Sequence, residues 1–191
     1  MENNDILIVG VGGQGTLLAS RIIGRIACDA GKDVKLSEVH GMAQRGGSVV
    51  TYVRIGEDIQ SPLIERGGAD IIVAFEKLEA LRWLDYLKAG GKIIVNEQEI
   101  LPMPVITGAA EYPENIMEQL NASCEVIALD ALKLAGQAGN KKCVNTVLLG
   151  VAARLIGESF ELWENAVSGV VPEKTREINK AAFKLGYEFV R

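Results

Sequence analysis

The chain has 191 residues, 48% of them hydrophobic and 24% charged, proportions of an ordinary globular protein and not of a disordered one. Its 20 basic and 25 acidic side chains leave a net charge of −5, which speaks against nucleic acid or an anionic membrane as the main partner. With 21 Gly, 5 Pro and only 5% aromatics, the composition suits helices packed closely on a largely parallel sheet in one α/β domain.

Asp5–Gly10 is a short aliphatic run ending in Gly, the pattern of a strand buried on both faces. Leu18, Ile22 and Ile26 then recur every four residues, which predicts an amphipathic helix stopped at Gly31. Asp33–Val39 reads as a second strand and, after a glycine-containing loop, Ser48–Ile55 as a third. A parallel crossover needs a dozen or more residues, and only a short loop without a helix intervenes here, so the third strand is expected to run antiparallel to its neighbours.

Asp70–Phe75 predicts another buried strand, followed by a helix carrying Leu78, Leu81, Leu84 and Leu87 and ending at Gly90–Gly91. Lys92–Asn96 is the next strand, completing a βαβ unit. Pro102 and Pro104 bracket a loop, Val105–Thr107 suggests an edge strand, and Pro113 suits the first turn of a helix with Ile116, Met117 and Leu120. Glu125–Leu129 is the last expected strand, with Asp130 as the cap of the helix after it. From Lys141 onward the chain reads as helix alone, in three segments, the third opened by Pro172 and closed by Gly186. The expected architecture is a three-layer Rossmann-like α/β fold: a mixed sheet, mostly parallel with an antiparallel strand, and a helical C-terminal third.

The first five residues are polar and acidic and lack the basic-then-apolar pattern of a secretory signal. The apolar run Val144–Gly157 is interrupted by Asn145, Thr146 and Arg154, too short and polar to span a bilayer, which needs about 20 apolar residues. A cytoplasmic location is expected. Cys28, Cys124 and Cys143 form no Cys-x-x-Cys pair, and His40 has no second imidazole to join it. Reduced, mostly buried thiols are therefore expected, with neither a metal site nor a four-cysteine iron–sulfur cluster in this chain.

Two loops carry the chemistry. Gly10-Val11-Gly12-Gly13-Gln14-Gly15 has Gly-x-Gly-x-x-Gly spacing between a strand and a helix. Such glycines permit a tight turn and close backbone approach, and the helix N-terminus offers free N–H groups to a phosphate. Glu38, at the end of the second strand, could serve as the acid that binds an NAD ribose. The same glycines could equally seat the helix against the sheet, and Gln14 could hold a substrate or partner group.

The second loop, His40–Ser48, puts Arg45 between Gln44 and the pair Gly46–Gly47. A guanidinium there could grip a carboxylate or phosphate with two parallel hydrogen bonds, or pair with Glu38 or a helix C-terminus within the domain. Met42 could contact an aromatic substrate or simply pack. His40 reads as a loop or packing residue.

Taken together, Gly10–Gly15, Gly41–Val49, Val53–Ile55, Ser61–Pro62 and Asn145–Gly150 resemble the gamma domain of 2-oxoacid:ferredoxin oxidoreductases. Within that family the chain looks most like the separate beta subunit of the indolepyruvate-type members. The likeness runs from Ile6 to about Asn179, so a single gamma-type domain over 1–191 is expected. The resemblance implies an oxidoreductase subunit acting in ferredoxin-dependent oxidative decarboxylation of aryl pyruvates to aryl-acetyl-CoA. Thiamine diphosphate, Mg and the iron–sulfur clusters would reside on a larger partner subunit, because this chain has no Gly-Asp-Gly triplet and too few cysteines. Ferredoxin would be met through the complex, CoA would be a co-substrate, and the chain would bind no cofactor and be inactive alone.

On that reading Gly10, Gly12, Gly13, Gln14, Gly15, Met42, Gln44, Arg45, Gly46, Gly47 and Asn145 are the candidate contacts to substrate, CoA or the partner's active site, with no catalytic residue of the chain's own. Asn145 has a second reading as a cap or buried amide. The alternatives are an NAD(P)-binding Rossmann-type enzyme and a non-catalytic scaffold subunit. An uncovered partner-binding face would favour a homodimer of the isolated chain.

Overall fold

The computed structural model describes residues 2–41 and 47–190. Six strands form one sheet: β1 (Asn4–Val11), β2 (Asp33–His40), β3 (Ser48–Gly56), β4 (Ala69–Ala74), β5 (Leu87–Asn96) and β6 (Glu125–Leu129), in the order β2-β3-β1-β4-β5-β6. β1, β4, β5 and β6 are mutually parallel. β3 runs antiparallel to both β1 and β2, as the missing crossover predicts.

Alternation along the central strands builds two cores. Ile6 and Ile8 of β1, with Val53, Ile55, Val73 and Ile94, face a helical layer made by α1 (Thr16–Asp29), α5 (Ala131–Gln137), α6 (Val144–Ile156), α7 (Phe160–Val170) and α8 (Arg176–Phe189). Leu7 and Val9, with Val50, Tyr52, Ile72 and Val95, face α2 (Lys77–Arg82) and α4 (Ile116–Ser123). Residues 6–9 are all 0% exposed, and each such aliphatic side chain contributes about 1.5–3 kcal/mol on burial. That is why β1 sits mid-sheet.

α6 is buried almost all round because α8 lies directly on it. A Cβ at Gly186 would fall 1.9 Å from the Val147 carbonyl oxygen, and one at Gly150 would fall 2.2 Å from that of Phe183. Gly186 is therefore a crossing point inside α8, which runs on to Phe189, and not the stop its sequence position suggests. Pro172 opens a short 3-10 turn, Glu173–Thr175, ahead of α8.

The leucine repeat at 78–87 misleads in a similar way. α2 ends at Arg82, a 3-10 turn covers Leu84–Tyr86, and Leu87 already belongs to β5, paired with Ala69 across a register shift. The leucines are spaced for burial and do pack on the second core, but the chain turns extended to rejoin the sheet. Val105–Thr107 is no strand either. Pro104 falls in the first turn of α3 (Met103–Ile106), where its missing N–H costs nothing, and the Thr107 hydroxyl donates to the Met103 carbonyl at 3.0 Å. Pro113 precedes α4, which Asn115 opens. Asp130 does cap α5, its Oδ1 accepting from the Lys133 N–H at 2.8 Å. All three cysteines are free thiols, but Cys28 is exposed on the outer side of α1 where burial was expected.

Candidate functional site

The carboxyl ends of β1 and β4 and the start of β3 meet at one edge of the sheet, the end at which open α/β sheets form their ligand crevices. Gly15 caps α1 in the left-handed region (φ 85°), no side chain caps that helix, and its first turn holds no acid. The N-terminal N–H groups and the positive end of the helix dipole are thus left to attract an anionic group. A Cβ at Gly13 (φ 98°) would meet nothing within 4 Å, so this residue faces open space.

Gln14 is held from inside. Its Oε1 accepts from the Val11 N–H at 2.8 Å and its Nε2 donates to the Phe75 carbonyl at 3.0 Å. A Cβ at Gly10 would lie 2.7 Å from that Oε1, so Gly10 makes room for the amide. Asn96, buried at the end of β5, donates to the same Phe75 oxygen at 3.1 Å and accepts from the Ala131 N–H at 3.1 Å. One carbonyl therefore ties the glycine loop, β4, β5 and α5 together.

The two sequence-predicted loops meet where Gly12 N–H donates to the Gly47 carbonyl at 2.9 Å. Asn145 joins the same region from α6: its Nδ2 lies 3.4 Å from the Gly15 carbonyl oxygen and its Oδ1 accepts from the Thr146 N–H at 2.9 Å. Met42, Gln44, Arg45 and Gly46 lie outside the described residues. Glu38 and His40, by contrast, pair with each other on β2 (Nε2–Oε1 2.5 Å), and Glu38 also accepts from the Thr51 hydroxyl at 3.0 Å.

Three polar residues escaped the sequence reading. Glu76 and Glu79 are 1% and 3% exposed. Glu76 accepts from the Glu79 N–H at 3.0 Å, the Ile100 N–H at 3.2 Å and the Tyr112 hydroxyl at 2.6 Å. Burial and the Glu76 carboxylate push the Tyr112 phenol well up from its ordinary range. Glu79 accepts from the Ser48 hydroxyl at 2.5 Å, which fixes the first residue of β3 to α2, and pairs with Arg82 at 3.3 Å. Burial holds the Glu79 carboxyl above the usual carboxylate range, against the opposing pull of Ser48 and Arg82. The available signal was an acid directly after the apolar run 71–75, with a second acid three residues on.

Among the described residues no group of three or more His, Cys, Asp or Glu converges as a metal site, and no helix is long and apolar enough to cross a membrane. The chemistry this crevice supports is binding and positioning: helix N–H groups for an anion and buried carboxylates that hold loop ends.

Known proteins give this crevice its context. The chain is 43% identical to indolepyruvate oxidoreductase subunit IorB of Thermococcus kodakarensis, over 97% of this chain and 95% of that one. It is 42% identical to the IorB subunit of Archaeoglobus fulgidus, over 96% and 93%. Among solved structures, the gamma subunit of a keto/oxoacid ferredoxin oxidoreductase from Geobacter sulfurreducens superposes with a TM-score of 0.73 at 28% identity, over 97% of both chains. Residues 5–189 match the family described as pyruvate ferredoxin/flavodoxin oxidoreductase, and with that likeness in sequence, fold and length the chain belongs to this family as one of its gamma-type subunits.

Proposed function

We propose that this chain is the accessory subunit of an indolepyruvate:ferredoxin oxidoreductase in the cytoplasm, inactive alone, whose larger partner carries thiamine diphosphate, Mg and the iron–sulfur clusters. The observation that carries the proposal is the 43% identity to an IorB subunit across nearly the full length of both chains. When bound to the partner, thiamine diphosphate supplies the electron sink for decarboxylating the 2-oxoacid.

This chain's part is to wall that site and exclude water. The free end of α1 and the open face at Gly13 suit an anionic group such as a CoA phosphate. Met42, Gln44, Arg45, Gly46 and Gly47 are proposed contacts from the second loop, which Gly12 tethers at Gly47. Gln14 and Asn145 act from beneath, holding the first loop in shape.

The alternative of an NAD(P) enzyme meets a geometric objection. A ribose-binding acid must sit on the strand beside the glycine loop, but here β3 lies between β1 and β2, so Glu38 is two strands away and already engaged. Adjacent strands are about 4.8 Å apart, which doubles the distance to be spanned.

Purified larger subunit should reduce a dye with indolepyruvate and CoA only when this chain is added. Equal turnover with and without it would rule the accessory role out.

A further inference from the structure

Beside the glycine loops lies a second feature, a cavity of about 230 Å³ bordered by Gly47 and Ser48 on one side and by the turn at residues 100–104 on the other. Its walls are apolar, from Leu78, Ile100 and Met103, and its charged groups are Glu76, Glu79 and Arg82. Small-molecule sites run about 300–1,000 Å³, so this one has room for a long side chain and not for a coenzyme.

The charges inside do not balance. Glu76 is satisfied by three neutral donors and has no cation against it among the described residues. Glu79 has only Arg82, whose side chain is 51% exposed and so screened by water. Two buried carboxylates thus face one half-solvated guanidinium. Just outside, the proline-bracketed turn exposes Leu101 (47%), Met103 (64%) and Ile106 (61%), three large aliphatic side chains within six residues. An exposed apolar patch beside a desolvated, net-negative pocket offers a partner both apolar area and a complementary place for positive charge.

We infer that the cavity and the turn Leu101–Ile106 form a docking surface for the larger oxidoreductase subunit, and that the group it receives is a Lys or Arg side chain of that subunit. The inference rests on the accessory-subunit reading. A long cationic side chain fits both halves of the pocket, its stem lying along Leu78, Ile100 and Met103 and its head reaching the two carboxylates. A purely apolar anchor would desolvate both carboxylates further and return nothing to them.

The test immobilises the purified larger subunit and measures the affinity of the full-length chain. Met103→Asp and Ile106→Asp should each weaken binding by roughly 30-fold, the size of an interface hot spot. Glu79→Gln keeps an oxygen for Ser48 but removes the charge, and should cost about tenfold while flattening the salt dependence of binding. Leu162→Asp, on the exposed side of α7 in the other helical layer, should bind like wild type. Thermal melts of each variant confirm that the fold is retained. Wild-type affinity in both aspartate variants would overturn the surface and leave the accessory role standing, and a Glu79→Gln variant with unaltered affinity and salt dependence would overturn the cationic anchor. Failure of the wild-type chain to bind would overturn both readings.

Discussion

Asn145 and Gly15, 130 residues apart, are locked together: the Asn145 amide nitrogen lies 3.4 Å from the Gly15 carbonyl oxygen and would lie 2.7 Å from any Cβ placed on Gly15. The first glycine loop is thus shaped as much by α6 as by its own sequence. Gly15→Ala meets both a left-handed backbone and the Asn145 amide, and should cost roughly 2 kcal/mol by urea denaturation. Asn145→Ala removes a long hydrogen bond to Gly15 and the shared acceptor of the Thr146 N–H and hydroxyl, and should cost about 1 kcal/mol.

Gln14→Ala strands the Val11 N–H and removes one of the two side-chain donors to the Phe75 carbonyl, which keeps Asn96. A loss of about 2 kcal/mol in stability is expected, because the Val11 N–H stays behind without its bond. Turnover of the reconstituted complex should fall with it, since the loop changes shape at the crevice. Unchanged urea midpoint and turnover would show that the amide is dispensable.

Glu79 sets a pH dependence. Ser48 faces it from β3, and Glu76, Arg82 and Trp83 face it from α2 and the residues on either side of that helix. Its carboxyl titrates higher in the folded chain than in the unfolded one, so the folded state holds the extra proton across the interval between the two. Stability is lost as pH climbs through that interval. The melting temperature of Glu79→Gln relative to wild type should therefore rise as the pH is raised above the ordinary carboxylate range. A constant difference would mean that burial does not perturb this group.

Gly186→Ala places a methyl carbon 1.9 Å from the Val147 carbonyl oxygen, backbone that cannot swing aside. α6 and α8 must separate, costing about 3 kcal/mol or more. Circular dichroism melts against wild type read this directly.

Glu38→Ala should leave turnover of the complex unchanged, and titration of the chain with NADH should leave the nucleotide's fluorescence unaltered. A saturable signal abolished by Glu38→Ala would revive dinucleotide binding despite the intervening strand.

The strands were legible because their apolar runs are short, β-branched and bounded by glycine, and the reversal of β3 followed from a missing crossover alone. The leucines at 78–87 could not be parsed by spacing, since a helix, a turn and a strand in succession bury them on one core. Gly186 looked like punctuation because a close helix crossing leaves no mark in a single sequence. Of the crevice, the glycine loop was visible in its spacing. Glu76 and Glu79 were not, because an acid after a strand reads as solvated until the turn at 100 and Tyr112 fold over it.

The α6–α8 crossing also orders events in the cell. Phe183 and Ala182 fill the same core as Ile6 and Ile8, yet they leave the ribosome long after β1. Until α8 emerges, the face of α6 that it covers stands bare, so that part of a nascent chain must be shielded.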